Sequence, residues 1–283
     1  MMQSPSRKNL WCRRVVRTLV LTSVGLTGVA HGAEEAPPLF LGAVEKISEP
    51  VQLKIRPNSR AACTLHQRFV SEEEAPSSEV ITFETHVQGR DDTQLLVQTV
   101  KGYEGTPESP AVFGYQHRMT IAADGLPTGT EARAIPGFPI SAKALRQAAL
   151  DGDIDIRDAI FSGRTYVQDE ALNRTPEETF RFLKPVIPRD LDLDTLVDRR
   201  DRSRVAGLVT TPGGRRALLF EIDAQMTTVR RSGATDTALQ GQVLVDVATG
   251  LVAGEDWTAQ IDKTSTDPFE LITKVRCSLE SGS

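Results

Sequence analysis

The feature that most constrains this chain is an alternation of apolar and polar residues with a period of two. It runs through Glu79–Gln88, Ala217–Val229, Gln242–Ala248, Asp256–Asp262 and Phe269–Leu279. Successive side chains of a strand point to opposite faces, so each segment presents one apolar and one polar face. Strands of this kind belong to antiparallel sheets joined by hairpins. The pattern therefore predicts a mainly β protein, of the α+β class, built on a curved antiparallel sheet or an incomplete β-barrel.

Two helical signals interrupt the strands. In Ser141–Leu150 a capping serine precedes apolar residues at helical spacing, and Thr175–Glu178 has the form of a capping box with proline at the first helical position. The acidic stretches Asp151–Asp158 and Asp190–Asp201 are typical of turns, the second at the entry to a further helix. We therefore expect residues 136–200 to form a mostly helical connection.

The strand patterns on either side of this connection resemble each other. Asp124–Glu131 matches Thr249–Asp256 at an offset of 125 residues. An internal duplication explains the match; the alternative is chance, since hairpins use few kinds of turn residue. Duplicated strands form one continuous sheet more naturally than two domains. We therefore expect sheet halves at about 40–135 and 201–283 within a single β-rich domain, residues 40–283.

Four glycines stand where the predicted hairpins turn. Gly125 and Gly250 are equivalent in the two matching segments, and Gly89 and Gly214 are related by the same offset. Glycine adopts a positive φ without steric cost, which tight hairpin turns require. We expect all four to be structural turn residues.

The N-terminus has the pattern of a signal peptide, residues 1–32. It carries five basic residues and no acidic one, and its uncharged run Thr18–Ala30 spans about 20 Å as a helix, less than the roughly 30 Å of a bilayer core. Small residues predict cleavage after Gly32 or Ala33; an uncleaved membrane anchor is the alternative. The mature chain is then periplasmic or secreted, without a transmembrane segment, and residues 33–39 form a disordered lead-in. The export route, general secretory or twin-arginine, stays open.

The charge of the mature chain excludes one class of partner. Without the five leader cations, the 33 Lys and Arg residues fall to 28, against 38 Asp and Glu, a net charge of −10. Aromatic residues make up only 5% of the chain. An acidic protein with few rings is a poor partner for a phosphate backbone or for stacked bases, so we expect no nucleic-acid partner.

Motifs of common enzyme and metal sites are absent from the sequence. There is no G-x-S-x-G, no glycine-rich phosphate loop, no H-E-x-x-H and no C-x-x-C. His66 and His86 fall on polar strand faces, whereas His117 falls on an apolar face. Ligands on opposite faces of a sheet cannot share one metal ion, so we predict no metal and no cofactor.

Acidic residues are the remaining candidates for chemistry. Asp151–Ser162 begins like a calcium loop but lacks the glycine at its sixth position and the glutamate at its twelfth. Glu72–Glu74 is typical of a hairpin tip. Asp192 and Asp194, together with His117, are the best candidates for a catalytic site assembled from distant strands.

Export leaves two cysteines, Cys63 and Cys277, in an oxidising compartment. Both lie on the apolar face of a predicted strand. We therefore predict a disulfide that ties the last strand to an early strand or across the core; two separate buried thiols are the alternative.

The segment Val243–Trp257 (VLVDVATGLVAGEDW) resembles a strand-turn-strand element of bacterial envelope proteins. Together with the leader and the interrupted sheet, it resembles the incomplete β-barrels of the LolA/LppX type, and also uncharacterised exported β-rich proteins with the same hairpin. The resemblance implies helices cupped over a curved sheet whose concave face carries lipid or lipoprotein acyl chains. It transfers no binding residue to this sequence.

Three functions follow as hypotheses. The first is a non-catalytic envelope protein that binds a hydrophobic ligand or a protein partner on the apolar face of its sheet. The second is a structural or assembly factor with a filled core and no ligand. The third is an enzyme whose site is assembled from distant strands.

Overall fold

The computed structural model describes residues 36–71, 76–90, 93–104, 115–122, 127–136, 161–176, 178–179, 196–230, 233–263 and 266–282. In chain order the strands are β1 (Leu41–Glu45), β2 (Val51–Leu53), β3 (Arg60–Ser71), β4 (Ser77–Arg90), β5 (Thr93–Glu104), β6 (Tyr115–Ile121), β7 (Pro127–Ala134), β8 (Arg164–Tyr166), β9 (Leu196–Asp201), β10 (Arg204–Thr210), β11 (Arg216–Arg230), β12 (Gly233–Asp246), β13 (Val252–Lys263) and β14 (Thr266–Glu280).

Twelve strands form one antiparallel sheet. Its order is β1-β10-β11-β12-β13-β14-β3-β4-β5-β6-β7, and β9 pairs with β11 along the same edge as β10. In the described part of the chain β1 and β7 form the two ends of the sheet and do not pair with each other, so the sheet is open and curved rather than closed. β2 and β8 form a separate two-stranded sheet. The prediction of a curved antiparallel sheet or incomplete barrel is confirmed.

The pairing of β3 with β14 joins the two halves of the sheet. Residues Arg60–Ser71 of β3 pair antiparallel with residues Phe269–Glu280 of β14, at twelve positions. Shifted by 125 residues, β5, β6 and β7 fall within β11, β12 and β13, as an internal duplication requires. The halves are therefore two meanders that meet at one seam.

Burial alternates along the strands. In β4, Phe83 and Val87 are buried whereas Glu84 between them is exposed. We call the side of the sheet that carries Phe83 the inner face, and the side that carries Glu84 the outer face. Across the seam, the inner face carries Phe220, Val243, Trp257 and Leu271, and the outer face carries Gln225, Gln240, Asp256 and Gln260.

The described part of the 136–200 connection differs from the mostly helical prediction. It contains β8 and β9, and β9 occupies the place of the helix expected after Asp194. β8 has only three residues, which is too short to show alternation, and β9 is an edge strand rich in charged residues. Neither strand therefore shows the period of two that predicts a strand. The proposed helix Ser141–Leu150 lies outside the described residues.

The capping box at Thr175–Glu178 is present. The N–H of Thr175 donates to Oε2 of Glu178 over 2.7 Å, and the N–H of Glu178 donates to Oγ1 of Thr175 over 3.2 Å. Helical backbone begins at Pro176. Each side chain thus satisfies an amide that a helix start leaves free.

The end of the predicted disordered lead-in is ordered. Leu39 is only 7% exposed and packs on an apolar patch of the outer face. The carbonyl oxygen of Pro37 accepts a hydrogen bond of 2.7 Å from Nε of Arg276. The prediction for residues 33–39 is therefore wrong at residues 37 and 39, because the burial of a leucine and a charged hydrogen bond offset the entropy of ordering the chain. Residues 33–35 lie outside the described part.

Candidate functional site: the inner face of the sheet

The inner face is apolar over most of its width and continues across the seam. Strand register places Phe220, Val243, Glu255, Val275 and Leu65 in one row across five neighbouring strands. Four of these five side chains are apolar. A face of this kind must be covered by other parts of the protein or by a ligand.

Glu255 is the exception in this row. It is 0% exposed, and its Oε2 accepts a hydrogen bond of 2.9 Å from Nε1 of Trp257, two residues along the same face. Thr273 pairs with Trp257 across β13 and β14 and is also fully buried. Within the described residues, the Thr273 hydroxyl has no hydrogen-bond partner. Glu255, Trp257 and Thr273 thus form a polar spot within the apolar surface, and the buried Thr85, Gln98 and His117 lie side by side as a second one on the N-terminal half.

Glu255 was not among the candidate residues predicted from the sequence. The available signal was its parity, because Glu255 stands two residues before Trp257 in an alternating strand and so shares the apolar face. A carboxyl group at such a position is rarely fully buried unless it is paired.

An aromatic cluster covers the C-terminal half of the inner face. The ring of Phe161 lies 4.4 Å from that of Phe220, and Tyr166 meets Phe220 edge-on at 5.1 Å. The Tyr166 hydroxyl donates to the carbonyl oxygen of Phe161 over 2.9 Å. Burial raises the pKa of Tyr166 well above its ordinary value. Tyr166 is therefore a neutral packing residue that fixes β8 over β11.

Backbone hydrogen bonds hold the β2 segment over the same surface. The N–H of Gly163 donates to the carbonyl of Leu53 over 2.9 Å, and the N–H of Ile55 donates to Oγ of Ser162 over 3.2 Å. The N–H of Arg56 reaches the carbonyl of Thr249 over 2.9 Å. Leu53 and Ile55 are fully buried. β2 and β8 therefore form a thin cover tied to the sheet at few points.

A buried ion pair closes the β9 end of this region. Nε of Arg174 donates to Oδ2 of Asp201 over 2.7 Å, and one Nη donates both to Oδ1 and to Oγ of Ser203. Burial alone would raise the pKa of Asp201, but the hydrogen bonds and charge of Arg174 and the hydrogen bonds of Ser203 hold it below its ordinary value. The pair is a structural clamp that fixes β9 to the segment before the capping box.

A small cavity lies on the inner face beside the seam. Its volume is about 10 Å³. Its lining residues are Ala61, Cys63, Phe83, Thr85, Gln98, Val252, Val275 and Cys277. This volume is close to the space of one water molecule, and an acyl chain does not fit into it. The inner face is closely packed at this point.

Cys63 and Cys277 stand directly opposite each other in β3 and β14. Their Cα atoms lie 4.1 Å apart and their sulfurs are bonded, closing a loop over a separation of 214 residues. The disulfide crosses the seam, so it links the two halves of the sheet covalently.

The predicted turn glycines behave differently from one another. Gly214 and Gly250 have φ values of 75° and 71° in the turns before β11 and β13. Gly89 instead lies inside β4, paired with Gln94, and has no positive φ in the left-handed range, so its assignment as a turn residue is wrong. The hairpin continues to the pair Arg90–Thr93, which moves the turn beyond Gly89. Gly125 lies outside the described residues.

The turn of the Val243–Trp257 element is a compact polar structure. Oδ1 of Asp246 accepts hydrogen bonds of 2.7 Å from the N–H and the hydroxyl of Thr249, and Arg215 binds both carboxylate oxygens. Burial alone would raise the pKa of Asp246, but the hydrogen bonds from Arg215 and Thr249 keep it below its ordinary value. The next residues are Gly250, with its positive φ, and the fully buried Leu251. The Asp, Thr, Gly and Leu of this motif thus each have a structural role.

The other candidates from the sequence are not brought together. His66 and His86 lie half-buried on the outer face, whereas His117 is buried on the inner face of β6, where burial lowers its pKa. Among the described residues no three His, Cys, Asp or Glu side chains form a group that could hold a metal ion. Asp192, Asp194, Glu72–Glu74 and the start of the calcium-like loop lie outside the described part.

Comparison with known proteins gives distant likenesses. No protein-family model matches the sequence, and no curated protein matches it significantly. A DUF1329 family protein from Desulfovibrio piger is 10% identical, with 80% of this chain and 86% of that chain covered and a TM-score of 0.26. A LolA superfamily protein from Nitrosomonas europaea is 5% identical, with 82% and 89% covered and a TM-score of 0.23.

The second of these proteins is of the type that the Val243–Trp257 element resembles. At TM-scores this low, neither likeness supports an argument about family or function. In the described part of the chain, no helix is long and apolar enough to cross a membrane.

Proposed function

We propose that this chain is an exported, non-catalytic envelope protein that binds a hydrophobic ligand on the inner face of its sheet. The observation that carries the proposal is the continuity of the apolar surface across the seam. On the C-terminal side it includes Val205, Leu218, Phe220, Ile222, Leu239, Val243, Trp257 and Leu271. On the N-terminal side it includes Phe83, Val87, Leu96, Val100, Met119 and Ile121.

The chemistry of this surface favours an acyl chain or a similar ligand. Burial of apolar area contributes about 25 cal/mol per Å², so a flexible hydrocarbon gains free energy wherever it replaces water on such a face. The resemblance of the Val243–Trp257 element to LolA/LppX-type proteins favours the same class of ligand. In the described strands, the inner face carries charge at Glu255, at the β9 end, where Arg199 and Asp201 lie, and at the exposed edge pair of Glu45 and Arg216.

A specific observation favours a second function, a structural or assembly factor with a filled core. The cavity beside the disulfide measures only about 10 Å³, and Phe161, Tyr166 and Phe220 pack against one another. A protein of this kind has no ligand and acts through protein partners. A catalytic role has no comparable support, and we do not propose one.

Substitution of Ala259 by phenylalanine distinguishes the two functions. Ala259 is 0% exposed on the inner face, between Leu239 and Leu271 in neighbouring strands. If a ligand occupies this face, Ala259→Phe folds, and the amount of bound lipid extracted from the purified protein falls. If the core is filled, the added ring has no space, and the free energy of unfolding drops by about 1–3 kcal/mol or more.

The matched control is Gln260→Phe, which places the same ring on the exposed outer face of the same strand. It should leave both the bound lipid and the stability close to those of the parent protein. If neither the parent protein nor the variants contain bound lipid, and Ala259→Phe is less stable than the parent, the ligand function is contradicted and the filled core is supported.

Export belongs to the same proposal and is supported by the disulfide. Disulfides persist in oxidising compartments. Intact-mass analysis of protein from a periplasmic or secreted fraction should give a chain that begins at Ala33 or Glu34. A mass that includes residues 1–32 would contradict cleavage.

A further inference from the structure

The segment 36–55, which we call the clasp, passes around one edge of the sheet. Residues 36–40 form its outer arm on the outer face, and β1 pairs with β10 at the edge. Residues 47–55 form its inner arm, in which Ile47, Val51 and Leu53 pack on the inner-face cluster. A single short segment therefore touches both faces.

The outer arm packs on the apolar patch of the outer face. This patch consists of Val209, Ala217, Leu219, Leu244 and Ala253, and Leu39 and Phe40 pack against it. A Cβ atom on Gly254 would approach Cδ1 of Leu39 to 2.9 Å, so a glycine at this position makes room for the leucine. The Arg276 guanidinium fixes the arm at the Pro37 carbonyl. Apolar burial and a charged hydrogen bond together make this arm a latch.

The middle of the clasp is weakly attached. All five residues of β1 are exposed, and β1 pairs with β10 at only two recorded positions, with an irregular register between them. The ion pair of Glu45 with Arg216 measures 3.4 Å, and both side chains are more than 60% exposed. Exposed pairs of this kind contribute little. The edge strand alone does not keep the clasp closed.

The inner arm lies over the proposed ligand surface. Leu53 and Ile55 are fully buried, and the arm is tied down by its three-residue pairing with β8 and by the Ile55 and Arg56 amide hydrogen bonds. A ligand that enters from this edge has to displace the arm. The inner arm can move only a short distance while the outer arm stays bound, because the weakly attached segment that connects the two arms, β1 and residue 46, is only a few residues long.

We propose that the clasp controls access to the inner face, with the Leu39 latch on the outer face keeping the inner arm closed. The inference rests on the proposed function, because access matters only if a ligand binds. Release of the latch frees about ten residues of chain, so the inner arm opens more often. A substitution in the outer arm is therefore expected to change how often the inner arm opens, although the substituted residue does not contact the inner face.

Hydrogen exchange followed by mass spectrometry on the oxidised mature protein tests this coupling. Leu39→Ala should accelerate exchange of the Ile55 and Arg56 amides by tenfold or more, while the amides of β12 and β13 stay within twofold of the parent. Leu41→Ala is the matched control, since Leu41 is 48% exposed two residues away. It should leave exchange at Ile55 and Arg56 within twofold. If Leu39→Ala does not fold, Phe40→Ala replaces it.

Two results would overturn the proposal. One is faster exchange of the amides of residues 39–41 without any change at Ile55 and Arg56. The other is equal acceleration in the clasp and in β12 and β13, which would show a general loss of stability. The measurement needs no ligand, so a protein that shows the coupling but contains no lipid rejects the ligand function and leaves the clasp in place.

Discussion

At the scale of single residues, the turn after β12 shows why a short motif has its composition. Asp246 satisfies the amide and hydroxyl of Thr249, Gly250 takes a backbone angle that other residues adopt at a cost, and Leu251 returns to the core. The sequence indicated the turn and the role of Gly250. It did not indicate the Arg215 contact, because a partner 31 residues away depends on strand register.

Gly250 and Gly214 give a matched pair of substitutions. Both have a positive φ, but a Cβ on Gly250 would overlap the carbonyl of Lys54, whereas a Cβ on Gly214 would meet nothing within 4 Å. Gly214→Ala should lower the free energy of unfolding by about 1 kcal/mol through backbone strain alone. Gly250→Ala should lower it by more than about 2 kcal/mol, since the clash adds to the strain. Denaturant unfolding checks the difference, and equal costs would refute it.

The lowered pKa of Asp246 predicts a dependence of stability on pH. The folded state binds a proton on this carboxyl less readily than the unfolded chain, whose aspartates titrate near 4. The stabilisation is therefore complete above about pH 4 and is lost as the pH falls through the folded pKa. In Asp246→Asn the free energy of unfolding should decline less steeply below pH 4 than in the exposed control Asp262→Asn. Parallel profiles for the two variants would contradict the prediction.

At the scale of elements, the strands that alternate over ten or more residues were predictable, and the short ones were not. β11, β13 and β14 bury the inner face and, beyond the patch under Leu39, leave the outer face more exposed, so their side chains carry a clear period of two. β8 has three residues, and β9 places Arg199, Arg200 and Asp201 on an edge, where charge rather than alternation is expected. The full strand order was out of reach, but the predicted Cys63–Cys277 bond already tied the last strand to an early strand or across the core, and these cysteines lie in the paired strands β3 and β14.

The disulfide belongs to this scale, since it connects β3 and β14. A closed loop over 214 residues gives a chain-entropy stabilisation of roughly 5 kcal/mol as a model-dependent upper figure. We expect reduction of the bond to lower the free energy of unfolding by about 2–5 kcal/mol, measured by denaturant unfolding with and without reductant. The variant Cys63→Ala should show no response to reductant. Two free thiols in the unfolded, unreduced mature protein would disprove the bond.

At the scale of the whole molecule, an open sheet of two meanders leaves an inner face that has to be covered. Among the described residues, the cover comes from β2, β8 and the aromatic residues around Phe220, and the clasp carries the chain from one face to the other. Alternation predicted that such a face exists, because it places apolar residues on one side of each long strand. It did not predict what lies over the face, since covering segments are short and irregular and pack by shape.

Native mass spectrometry of the mature protein, purified without detergent, tests the ligand proposal most directly. Binding on the inner face predicts a population heavier than the polypeptide by the mass of a lipid or fatty acid, and that mass should be released on unfolding. A single species at the polypeptide mass, with no acyl material in a solvent extract of the same sample, would contradict ligand binding and favour the filled core.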